Sequence, residues 1–192
     1  MKNSILNLVL KKWYLFLIWL MASYSICTFT LSRANQPKPE EEIKIFMGAF
    51  NENNSNLTKK FNDLKDEHIK RVTVDYFSPQ EDYFNAYMSV YMENTDLFIL
   101  GEKEVNSSII SRFIEINSID RTLSSYQCLT FEEKNYGVEL FDYKNNSGPL
   151  AEYFDSTKIE ENYYVFFNKS SIHISENTDQ YAIKLIKDLL EQ

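Results

Sequence analysis

TDLFILGE, residues 95–102, is the stretch on which the fold turns. Its apolar run, 97–100, has no polar position in it, so both faces of the segment call for burial. Asp96 precedes the run, and Gly101 and Glu102 end it abruptly. A strand apolar on both faces belongs inside a sheet that is covered on both sides.

Upstream lies a helix-start signal, in which Ser78 can cap, Pro79 fits the first helical position and Glu81 can close a capping box. The predicted helix runs to about Asn94, with Phe84, Tyr87, Met88 and Tyr91 along one stripe. IKRVTVDYF (69–77) precedes it as a strand. Before that, Leu57, Phe61 and Leu64 repeat at helical spacing behind a cap at Ser55 or Asn56. IKIFMGAF (43–50) is the first apolar strand, and a weaker helix is expected from Glu102 to about Phe113. Strand, helix, strand, helix, strand with short apolar runs predicts an α/β domain with a mostly parallel, three-layer sheet and right-handed crossovers.

The second half alternates instead. YQCLTFEE (126–133) and YGVELFDY (136–143) flank Lys134 and Asn135, which predicts an antiparallel hairpin turning there. NNSGP (145–149) is a turn, and YYVFFNK (163–169) is a further apolar strand. Asn177 can cap a last helix, with Gln180 reaching back and Ala182, Leu185, Ile186, Leu189 and Leu190 on its buried face. There is no internal repeat.

The amino-terminal segment is of another kind. WYLFLIWLMASYSICTFTLS (13–32) holds no charge and, at 1.5 Å per residue, spans roughly 30 Å as a helix, the thickness of a bilayer core. Lys2, Lys11 and Lys12 lie before it and Arg33 alone lies close after it, so the positive-inside bias predicts a cytoplasmic amino terminus. Cleavage is disfavoured because the nearest small-x-small site, SRA at 32–34, contains Arg33. Lipidation at Cys27 is disfavoured by Ile26 before it. The expected organisation is a cytoplasmic terminus (1–12), a transmembrane signal-anchor helix (13–32), a tether (33–42) kept extended by Pro37 and Pro39, and an extracytoplasmic domain (43–192).

All 28 acids of the chain lie beyond residue 34, whereas four of its 20 basic residues precede it. The outer part is thus more acidic than the formal net charge of −8, which argues against nucleic acid or anionic lipid as its partner. Cys128 is the one cysteine outside the apolar segment, so the domain can form no internal disulfide. Only four glycines occur, and Gly48 opens no phosphate-binding pattern; close packing of a helix over its strand is the better reading. His68 and His173 are the only histidines, and neither has a second ligand at metal spacing. A Cys128–His173 nucleophile pair has no support in the sequence, and no catalytic motif is present; neither enzyme activity nor a cofactor is expected.

The order of these strands, with DLFILGE following two βα units and YYVFFNKSSIH leading to a terminal helix, resembles the first lobe of type II, periplasmic-binding-protein-like solute-binding proteins of ABC transporters. It is also similar to short membrane-anchored bacterial proteins that retain this lobe alone. The resemblance covers roughly 43–113 and 160–190 and implies a single solute-binding-like lobe. It departs from the family in leaving no room for a second lobe, so half a cleft is what the resemblance implies.

In open α/β sheets ligands sit beyond the carboxyl ends of the parallel strands. That places Asn51, Asp75, Tyr76, Gly101 and Glu102 on one expected ligand-binding rim, with Asp75 and Glu102 offering carboxylates to a polar or cationic solute or a cation. Tyr83, Tyr87 and Tyr91 recur every four residues and form either a stacking platform or a half-buried stripe. The expected role is extracytoplasmic recognition of a small solute or a membrane protein partner, accessory to a transporter or sensor, with the lipid bilayer engaged through 13–32. The alternatives are a structural or interaction protein without a small ligand, and a hydrolase of unrecognised type.

Overall fold

The computed structural model describes residues 2–34, 36–49, 54–80, 82–154, 159–174 and 179–192. The chain forms two units, up to Pro37 and from Lys38 onward. The first is a single helix, α1 (Lys2–Ala34). Within it, the 23 residues Lys12–Ala34 are long and apolar enough to cross a membrane, with a mean hydropathy of 1.7 over an 18-residue window. Its hydroxyls bond to carbonyls of the preceding turn, Ser25 to Met21 (2.9 Å), Thr28 to Tyr24 (2.9 Å) and Thr30 to Ile26 (2.7 Å). These three hydroxyl donors are therefore satisfied without water, the condition an apolar surrounding imposes.

The second unit is built on six strands: β1 (Glu42–Gly48), β2 (Arg71–Phe77), β3 (Leu97–Gly101), β4 (Cys128–Phe131), β5 (Lys134–Phe141) and β6 (Tyr163–Phe167). Their order is β2-β1-β3-β6-β5-β4. β1 pairs in parallel with β2 and β3, while β6 is antiparallel to β3, β5 to β6 and β4 to β5. The sheet is therefore mixed and not mostly parallel. All five residues of β3 and all five of β6 are buried, because both strands lie inside the sheet with both faces covered. An apolar run of that kind reports burial and is silent on direction.

Helices α2 (Asn54–Leu64) and α6 (Tyr181–Leu190) cover one face, where Leu57, Phe61, Leu185 and Leu189 meet Ile45, Ile99 and Val165. Helix α3 (Phe84–Tyr91) covers the other, where Phe84 and Met88 meet Phe46, Phe98 and Phe166. Phe46 is central to this second layer, stacked on Phe77 at 4.9 Å and flanked by Phe84, Tyr91 and Phe98. Gly48 allows the close approach, since a Cβ there would lie 2.6 Å from the Phe84 ring.

Several boundaries differ from the sequence reading. Helix α3 begins at Phe84 and not at Pro79; Ser78 instead accepts the Gln80 N–H in a turn (3.4 Å), and Glu81 lies outside the described residues. The expected helix over 102–113 is a 3-10 turn (Glu102–Glu104) followed by the one-turn helix α4 (Ser107–Ile110), capped by Asn106 through the N–H groups of Ser108 and Ile109. A second one-turn helix, α5 (Ile116–Ile119), follows. The hairpin turns at Glu132 and Glu133, leaving Lys134 and Asn135 in β5. Asn177 lies outside the described residues, and Gln180 itself caps α6 in a left-handed conformation (φ 51°). Before β1, Pro39–Glu41 forms a 3-10 turn where the sequence predicts an extended tether.

Candidate functional site

The parallel strands β1, β2 and β3 end on one rim of the sheet. β6 runs against β3 and β5 against β6, so β5 also ends on that rim and β6 begins there. The rim therefore gathers the segments after β2, β3 and β5 and the segment that enters β6. Backbone contacts tie two of these together: Glu102 N–H donates to the Asn162 carbonyl (3.1 Å) and Lys103 N–H to Glu161 Oε2 (2.8 Å). Gly101 explains how the carboxylate comes so near. A Cβ on Gly101 would lie 2.5 Å from the carboxyl carbon of Glu161, so any larger residue would displace it.

Between these segments opens a cleft of about 370 Å³, lined by Pro79, Gln80, Lys103, Glu104, Ile159, Glu160, Glu161 and Tyr163. Tyr163 is 1% exposed, and its ring packs on Phe154 at 4.7 Å. Burial drives its phenol well above the ordinary range, and the carboxylates of Glu161 and Glu104 add to the shift. Burial likewise raises the Glu104 carboxyl, with Glu161 adding repulsion and Lys103 opposing. Lys103 Nζ donates to the Glu160 carbonyl (3.4 Å). Along the same rim, burial lifts the Glu139 carboxyl and Asp142 adds to it, while Asn162 bridges to Glu139 (3.1 Å) and to the Tyr164 hydroxyl (3.4 Å).

The expected site residues are distributed unevenly over this geometry. Gly101 and Glu102 do lie on the rim, Gly101 as the floor under Glu161. Asp75 and Tyr76 are neighbours in β2 and so face opposite sides of the sheet. Asp75 lies beside the Tyr91 hydroxyl under α3, where burial, and then Asp75, raises the phenol. Tyr76 packs into the other core layer against Thr58 of α2. β1 stands between β2 and β3, about 10 Å of separation, so the pair does not join Glu102 in one pocket. Asn51 lies outside the described residues. The cleft residues Lys103, Glu104, Glu160, Glu161 and Tyr163 were not anticipated. Their signal is the acid pair Glu160–Glu161, separated from YYVFF by Asn162 alone, which reaches this rim only because β6 starts there.

Other groups fall away from the cleft. The His173 ring is buried and its Nε2 lies 3.1 Å from the carbonyl oxygens of both Pro39 and Glu42. Cys128 Sγ faces the Tyr126 carbonyl (3.4 Å), and burial raises its thiol, the reverse of an activated thiolate. Asp96, Ser171 and His173 have the composition of a hydrolytic triad without its geometry: the Ser171 hydroxyl donates to Asp96 (2.5 Å) and accepts the His173 backbone N–H (3.0 Å). Among the described residues no group of three or more His, Cys, Asp or Glu is placed to hold a metal ion. Tyr83, just ahead of α3, and Val90 on it stand out in solvent, 68% and 70% exposed, while Tyr91 folds onto Phe46 and Phe77.

No protein-family model matches the sequence, and no curated protein matches it. Two solved structures are similar in part. Both are the N-glycan transport solute binding protein NgtS of Streptococcus pneumoniae, one of them in complex with Man1GlcNAc. The complex is 17% identical, with a TM-score of 0.38 over 53% of this chain and 25% of that one. The other is 15% identical, with a TM-score of 0.37 over 52% of this chain and 25% of that one. The chain thus matches about a quarter of the length of NgtS, and the likeness is slight.

Proposed function

We propose that this chain is a membrane-anchored recognition protein whose outer α/β domain binds a small solute in the rim cleft. The observation that carries the reading is the cleft itself: about 370 Å³, beyond the carboxyl ends of β2 and β3, with charged groups and a buried tyrosine converging on it. Open α/β sheets place their ligands there, and the volume falls within the usual range of ligand pockets. The uncharged run 13–32 of α1 supports anchorage, and the lysines ahead of it support a domain on the outer side, accessory to a transporter or sensor. A second reading, a protein partner, is favoured by α3, whose eight residues carry no charge and whose outer side presents Tyr87 and Val90 beside Tyr83.

Thermal unfolding of the detergent-solubilised full chain, with sugars, amino acids, amines and dipeptides added in turn, tests the first reading. A ligand of the native state raises its stability, by about 2.7 kcal/mol at a hundredfold excess over Kd. At least one class is expected to raise Tm saturably, and Gln80→Trp, which fills the cleft from its exposed wall, is expected to abolish the shift. If no class stabilises the chain, or Gln80→Trp leaves the shift intact, the reading fails.

A further inference from the structure

Resting on the solute-binding reading of the cleft, we infer that its ligand is an organic ammonium ion, a small amine or a basic side chain presented by a peptide, rather than an anion or a neutral sugar. Three carboxylates line the cleft, those of Glu104, Glu160 and Glu161, against one cation, Lys103. Among the described residues none of the three forms an ion pair, and the Lys103 ammonium is turned to a backbone carbonyl. Some acids elsewhere in the domain are paired, Glu42 by Arg71 (2.7 Å), Asp120 by Lys187 (2.9 Å) and Asp66 by Lys184 (2.5 Å), whereas the cleft gathers three that have no ion pair among the described residues.

An acidic cluster alone describes many solvated surfaces. Tyr163 is the independent observation. Its side chain is 1% exposed, it lines the cleft, and its hydroxyl lies in the field of Glu104 and Glu161, yet no described group hydrogen-bonds it. The hydroxyl is not sealed off in the core but opens onto the cleft, where a ligand can supply the partner that the described residues do not. An ammonium group brings several N–H donors and a positive charge at once. It can donate to the Tyr163 oxygen and to the Glu104 carboxylate in charge-assisted bonds. An anion would meet three negative charges, and a neutral sugar would leave them uncompensated. A bare metal ion lacks its ligand set here. Burial and Glu161 hold the Glu104 proton more tightly than usual, so an arriving cation also favours its release.

Isothermal titration of the full chain in dodecyl maltoside micelles, using cadaverine and its neutral isostere pentane-1,5-diol, tests the inference. Cadaverine is expected to bind saturably and at least about tenfold more tightly than the diol, the worth of one charge-assisted hydrogen bond. Glu104→Gln is expected to weaken cadaverine about tenfold. Tyr163→Phe is expected to weaken it several-fold while leaving Tm unchanged, because the hydroxyl it removes holds nothing in the folded chain. Glu152→Gln, outside the cleft, is expected to change neither. Equal binding of the diol or of a neutral sugar overturns the cationic inference and retains the cleft. Cadaverine binding that ignores both Glu104→Gln and Tyr163→Phe reports diffuse attraction to an acidic surface and also overturns it. Absence of binding by every charged and neutral probe overturns the inference and the solute-binding reading together.

Discussion

At the scale of single residues, Asp96 shows how a polar group is kept inside an apolar strand system. It is 6% exposed at the amino end of β3, where its carboxylate accepts the Lys44 N–H (2.8 Å) and the Ser171 hydroxyl (2.5 Å). Asn168, 1% exposed, secures the same corner by donating to the carbonyls of Met92 (2.8 Å) and Thr95 (2.6 Å). Burial raises the Asp96 carboxyl above its ordinary value, and the two hydrogen bonds and the His173 ring oppose that rise in part. The folded chain therefore holds this proton more tightly than the unfolded chain does. The resulting contribution to stability is fully present below the unfolded value, about pH 3.9, and is lost as pH rises through the raised folded value. Asp96→Asn removes the titration while keeping an acceptor for Lys44. In urea titrations, the stability of wild type relative to Asp96→Asn is expected to be greater near pH 4 than near pH 7. A difference that does not change with pH would contradict the assignment.

At the scale of elements, the β4–β5 hairpin places its turn where the local sequence does not ask for it. Glu132 and Glu133 have φ of 49° and 65°, left-handed values that neither side chain favours. Lys134 and Asn135, the sequence's own turn candidates, are strand residues. The reason lies across the sheet. Gly137 sits under Phe166, whose ring a Cβ would meet at 2.7 Å, and Val138 and Leu140 are fully buried. A shift of one residue would turn that buried set to the opposite face, so packing sets the register and the turn absorbs the strain. Replacing the pair by Asn-Gly, as Glu132→Asn with Glu133→Gly, is expected to stabilise the domain by about 1–2 kcal/mol. The measurement is a higher urea midpoint at unchanged slope; no rise would mean that the turn is not strained.

At the scale of the whole molecule, the apolar helix and the acidic α/β unit impose different surroundings on one chain. The lysines ahead of α1 predict the domain on the outer side. Alkaline phosphatase fused after Gln192 is then expected to be active and a cytoplasmic reporter at the same point silent; the reverse pattern would sink that orientation. The sequence by itself determined what depends on neighbours along the chain. The uncharged run 13–32, the apolar strands 43–50, 69–77 and 97–100, and the amphipathic stripe of 182–190 were all legible in it, since solvation and periodicity act locally. So were the burial of Phe84 and Met88 and the close approach over Gly48. Strand direction was not, because YYVFF is as apolar as LFIL whichever way it runs. The cleft was not either. Gln80, Glu104 and Glu161 meet only when β6 enters antiparallel beside β3, bringing its acidic leader to the rim where β2 and β3 end. TDLFILGE thus announced a buried strand and its stop, but the tertiary structure alone decided that Gly101 is the floor beneath Glu161, because that contact depends on which strand lies alongside and in which direction.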